Sequence, residues 1–76
     1  MLIHNIIMES ILTIEQLNKC FVNNIPILFI KKYPEYELRK EGLITSIDFM
    51  TKLILVRVEE GIFYKVNFDD VTIYKI

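Results

Sequence analysis

Tryptophan and alanine do not occur in the chain, and cysteine and histidine occur once each, as Cys20 and His4. A lone cysteine excludes an internal disulfide and fits a reducing compartment, so a cytoplasmic location is expected. A lone histidine leaves nucleophilic catalysis little to work with. His4 would have to meet Ser10, Ser46 or Cys20 together with an orienting acid, and no spacing suggests it. With two glycines and two prolines there is no Gly-rich loop to cradle a phosphate and no linker, repeat or low-complexity tract. Neither sign of charge is in excess: nine Lys and Arg face ten Asp and Glu, net −1, which is no basic nucleic-acid footprint. No apolar run is long enough to span a bilayer. Residues 1–8 are apolar but lack a basic flank and a small-residue cleavage site, so no signal peptide is expected. The carboxylates of Asp48, Glu59, Glu60, Asp69 and Asp70 do not follow the pattern of a calcium or magnesium loop. No metal, no cofactor, no membrane partner and no enzymatic activity are expected.

What the chain does have is bulk. Hydrophobic residues make up 53% of its 76 positions, mostly Ile, Leu, Val, Phe and Tyr. That length gives one domain, in which surface dominates and the stability margin is thin. A monomer of this size cannot easily hide so many large side chains, so self-association or a large apolar partner surface is expected.

The apolar residues are patterned for strands. Ile62, Tyr64, Val66 and Phe68 alternate with Phe63, Lys65 and Asn67, and Leu43, Thr45, Ile47 and Phe49 alternate with Ile44, Ser46 and Asp48. A period of two is the signature of a strand. Residues 53–58 are apolar on both faces and read as a central strand covered on both sides. Leu55 and Val66 are assigned to the core, so an Asp at either is expected to abolish folding. Glu60-Gly61 provides a tight reversal, Asp69-Asp70 a helical or tight turn, and residues 72–76 a last strand.

Upstream, residues 14–23 read as a helix. Thr13 is the N-cap, Gln16 its capping-box partner, and Leu12 and Leu17 a hydrophobic staple. Ile14, Leu17, Cys20 and Phe21 form the buried stripe, with Cys20 as a small hydrophobe. Asn23-Asn24 ends the helix, because Asn tolerates the left-handed conformation. Residues 25–33 form the first strand, entered at Pro26. Residues 31–41 are expected to be a charged loop carrying Tyr33, Pro34, Tyr36 and Leu38, where binding residues tend to sit. The expected architecture is a mainly β, α+β domain: an arm at 1–12, a capping helix at 13–24 and a five-stranded antiparallel small barrel at 25–76.

This order of elements resembles the small β-barrel superfold shared by SH3-like and Sm-like domains. In the Sm-like branch, which includes the bacterial RNA chaperone Hfq, a helix precedes a strand with a Gly-x-apolar-x-x-apolar-Asp run. Gly42, Ile44, Ile47 and Asp48 look like that run, and Tyr64-Lys65 looks like the start of the Hfq Tyr-Lys-His signature. Val66 stands where the His would be, and Lys52 where many Sm proteins carry Asn. Those are positions that hold RNA in the family.

The functional expectation is a non-catalytic module acting by protein–protein interaction. Small chains rich in Ile, Asn and Lys look like products of AT-rich phages or mobile elements, which makes an anti-defence inhibitor or accessory factor a narrower form of this reading. The alternatives are an Sm-like RNA-binding ring, against which the acidic balance argues, and an oligomer binding a small nucleotide between subunits. The candidate binding residues are Tyr33, Tyr36, Arg39, Lys52, Phe63 and Lys65. The final strand is guarded only by Lys75, so either the arm at residues 1–8 covers that edge or another subunit does, and a homo-oligomer built by edge pairing or arm exchange is expected.

Overall fold

A computed structural model describes residues 9–11 and 13–76. The arm at 1–8 with His4, and Leu12 of the expected staple, lie outside the described residues. Seven elements follow in order: β1 (Glu9–Ser10), α1 (Ile14–Val22), β2 (Ile27–Lys32), β3 (Glu37–Asp48), β4 (Leu53–Glu59), β5 (Ile62–Asn67) and β6 (Thr72–Lys75). The strands form one sheet, every neighbouring pair antiparallel, in the order β1-β6-β2-β3-β4-β5. The fold is therefore mainly β with one short helix. Among the described residues its ladder is open, with β1 and β5 at the two ends.

The helix forms for the reasons its sequence supplies. Thr13 Oγ1 accepts from the Gln16 N–H at 3.1 Å, and Gln16 Oε1 accepts from the Thr13 N–H at 3.1 Å, a closed capping box. At the other end Asn24 takes φ +53°. The Ile25 N–H donates to the Cys20 carbonyl at 2.9 Å and the Asn24 N–H to the Phe21 carbonyl, which is a Schellman ending built on Asn instead of Gly. The stripe that docks is Leu17, Cys20 and Phe21. Ile14, expected in it, is exposed at the first helical position.

Strand β3 is the backbone of the sheet. Residues 37–42 pair with β2 and residues 43–48 pair with β4. The switch falls at Gly42. A Cβ there would collide with the Arg57 carbonyl oxygen and come within 2.9 Å of Val56 Cγ1. Only glycine lets the two strands approach this closely at the bend. The curl that results is large: Phe29 on β2 and Tyr64 on β5, three strands apart in the ladder, have ring centroids 5.9 Å apart.

Two irregularities set the faces. The register slips between Ile44 and Ser46, which leaves Thr45 as an extra residue whose hydroxyl donates to the Leu55 carbonyl at 3.1 Å. Ile44 then lies opposite Val56, and Ile47 opposite Ile54, all facing the core. A second slip at Val58 precedes the Glu60-Gly61 turn, where Gly61 takes φ +79°. The core holds Leu17, Cys20, Ile27, Phe29, Ile44, Ile54, Val56, Val66 and Ile73.

Two expectations change, and one open alternative is resolved. Residues 31–41 are not a loop. They are the end of β2, a tight turn and the first half of a twelve-residue β3. The strand-forming pattern there is hidden because Lys, Arg and Glu alternate with Leu38 and Lys40 in a ribbon wet on one side. Leu55 faces away from the core. It is half-buried opposite Ser46 and Lys65, while its neighbours Ile54 and Val56 point inward. A strand apolar on both faces gives no alternation from which to choose. Finally, of the two covers expected for the β6 edge, the N-terminal segment supplies one: β1 pairs with it through Glu9 opposite Lys75 and Ser10 opposite Tyr74, and the Ile11 N–H donates to the Ile73 carbonyl at 2.8 Å.

Candidate binding surface

The turn between β2 and β3 is made by Pro34 and Glu35. Pro sets φ for the first central position of such a turn. Tyr33 and Tyr36 therefore face each other as the next rung beyond Lys32 and Glu37, with the Tyr33 N–H donating to the Tyr36 carbonyl at 2.8 Å. Directly opposed side chains sit close enough to touch. The two rings stack, centroids 4.6 Å apart and planes 13° from parallel. Lys31, two residues before Tyr33 and so on the same face, holds its ammonium 5.4 Å from the Tyr33 ring centroid. Tyr36 is 63% exposed. Pairing with β6 stops at Ile30 and pairing with β4 begins at Leu43, so among the described residues 31–38 form a two-stranded ribbon that pairs only with itself.

The six residues singled out by sequence do not form one site. Tyr33 and Tyr36 come together at the ribbon tip. Arg39 points from the opposite face of the ribbon, beside Glu37, with which it makes a 3.6 Å ion pair that is largely exposed and worth little. Lys52 lies in the β3–β4 turn at φ +62°. Its ammonium contacts Asp69 Oδ2 at 2.8 Å, and that hydrogen bond and charge hold the Lys52 pKa above the usual lysine range. Phe63 and Lys65 stand on the outer face of β5, next to Arg57 and Leu55 in register.

Sequence reasoning passed over two features. Lys31 was visible only as one of the charges of the expected loop at 31–41, yet it is the cation that meets the tyrosine stack. Its i, i+2 spacing from Tyr33 carries that signal once the segment is known to be a strand. The second is a chain of ring contacts that leads from the half-buried Lys40 and Tyr64 to the buried Phe29. Lys40 holds its ammonium 5.6 Å from the Tyr64 ring, which packs against Phe29. Lys40 therefore lies over the rim of the core and is not free as a surface charge. Cys20 is buried, and burial pushes its thiol pKa up against a smaller opposing effect of Lys75, so the thiolate that reacts is disfavoured.

Among the described residues no group of three or more His, Cys, Asp and Glu side chains is placed to hold a metal ion, and no helix is long and apolar enough to cross a membrane. Compared with protein-family models, curated proteins and solved structures, the chain gives no match.

Proposed function

We propose that the chain is a non-catalytic binding module that holds a protein partner through Tyr33 and Tyr36. One observation carries this: a stacked, exposed tyrosine pair at the tip of a two-stranded ribbon. Tyrosine gives a large amphipathic contact at low entropic cost, and aromatic anchors dominate binding energy where they fill a pocket. Lys31 beside the pair suits a pocket with an acidic rim. A phage-type inhibitor or accessory factor, working in the cytoplasm, is the narrower form of the same reading.

The fold belongs to this proposal in its finer form. We read the curled sheet as a small barrel of the SH3-like or Sm-like kind. The support is the bend at Gly42, the contact of Phe29 with Tyr64 across the core, and the Asp48 that closes the β3–β4 turn. The RNA-binding alternative is less well supported. Val66 occupies its position as a core residue, and the Lys52 ammonium is engaged by Asp69.

The test is Tyr36→Ala, with Tyr33→Ala beside it. The protein is used as bait, and each captured partner is titrated as a purified component. Tyr36→Ala is expected to raise the dissociation constant at least tenfold, a typical anchor effect, with the thermal midpoint unchanged. A partner bound equally well by both variants would remove the ribbon from the account. Copurifying nucleic acid, seen in the ratio of absorbance at 260 to 280 nm and released by salt, would favour the RNA reading instead.

A further inference from the structure

We infer that β5 is a self-association edge that pairs antiparallel with β5 of a second copy, about a two-fold axis at Tyr64. Among the described residues, strand β5 hydrogen-bonds to β4 on one side and is an end of the sheet on the other. An unpaired strand edge is a template for another strand, and proteins usually blunt it with Pro, bulges or several charges. Residues 62–67 contain no Pro and no Gly, and Lys65 is their only charge. Two large apolar residues lie on this edge strand, Ile62 at 44% and Phe63 at 48% exposure. The opposite end of the sheet is different: there β1 already covers β6. A head-to-tail assembly through β6 would have to displace β1, whereas a two-fold pairing of β5 leaves the subunit unchanged.

The register follows from the faces. Paired residues must point to the same side of the sheet, so Phe63 and Lys65, which face outward, cannot oppose Tyr64 or Val66, which face the core. An axis at Lys65 sets the two Lys65 ammonium groups against each other, which is destabilising. An axis at Phe63 overlaps only the first residues of the strand before running into the Glu60-Gly61 turn. An axis at Tyr64 avoids both problems. It pairs Ile62 with Val66 of the second copy on the core side and Phe63 with Lys65 of the second copy on the outer side, each twice. The partner chemistry is thus complementary, ring against lysine stem and ammonium. The apolar outer residues Leu43, Leu53 and Leu55 would continue across the joint as one surface.

Sedimentation equilibrium on the full chain tests this, with circular dichroism confirming that each variant is folded. The wild type is expected to be a dimer at high micromolar concentration. Phe63→Lys sets lysines opposite one another twice and is expected to weaken the dimer roughly tenfold. Phe63→Glu, which sets Glu against Lys65 of the second copy, is expected to keep it. The charge exchange Phe63→Lys with Lys65→Glu is expected to restore association lost in Phe63→Lys alone. A wild type that stays monomeric overturns the proposal. So does equal association of Phe63→Lys and Phe63→Glu, or an exchange that fails to restore, because either places the contact away from this register. None of these results touches the tyrosine ribbon, so the two proposals stand or fall separately.

Discussion

Asp48 shows how much one side chain fixes. It ends β3, and its Oδ1 accepts from the N–H groups of Met50 at 2.9 Å and Thr51 at 3.2 Å, closing the turn that leads into β4. Those donors, chiefly the Thr51 backbone and hydroxyl and then the Met50 backbone, hold its pKa below the ordinary carboxylate value. A group whose folded pKa is depressed stabilises the fold above its unfolded pKa, and the contribution disappears as pH falls through the folded value. Asp48→Asn keeps an acceptor oxygen but cannot titrate. Denaturation followed from neutral to acid pH is expected to show a smaller acid loss in Asp48→Asn than in the wild type. Parallel curves would mean that the Asp48 charge does not contribute to the turn. Asp48 was legible in the sequence as part of a Gly-x-apolar-x-x-apolar-Asp run. Lys52 was legible only as a cation, because its pairing with Asp69 joins two turns far apart in the chain.

The helix is the element whose signals were complete in the sequence. Its cap, its capping-box partner and its Asn ending are all local, and all three are found where expected. Nine residues are too few to persist alone, so the cap and the docking of Leu17 and Cys20 act together. Thr13→Ala is expected to lower stability by about 1 kcal/mol, measured as a shift in denaturant midpoint with an unchanged slope. No shift would mean that the capping box contributes nothing to the folded state. The ribbon was hidden for the opposite reason. Its strand character comes from pairing between residues 31–32 and 37–38, with no apolar alternation to announce it, and charge and aromatics suggested a loop. Tyr33 and Tyr36 were legible as candidates, but their stacking depended on a two-residue turn that a loop would not have required. The sequence also offered β6 as the exposed edge. The short β1 lies in a segment without strand signals of its own, and by pairing with β6 it makes β6 an interior strand.

Across the fold, the five strands β2 to β6 and their order along the chain were readable from periodicity and turn residues, while β1 and the inside of the sheet were not. Strand β4 is where the ambiguity concentrates: Leu53, Ile54, Leu55 and Val56 are all apolar, and the bulge at Thr45 prevents its neighbour β3 from resolving the choice. Both proposed surfaces inherit the answer. If Ile54 and Val56 face inward, then the outer face carries Leu55, Phe63 and Lys65, β5 can pair in the stated register, and the ribbon tip carries the tyrosines on the side of the core. The most direct measurement is the denaturation of two adjacent substitutions, Leu55→Asp and Val56→Asp, under the same conditions. Val56→Asp buries an unpaired charge and is expected not to fold. Leu55→Asp places a carboxylate at the surface opposite Lys65 and is expected to fold cooperatively with a modest loss of stability. A folded Val56→Asp beside an unfolded Leu55→Asp would turn the sheet inside out and contradict the account.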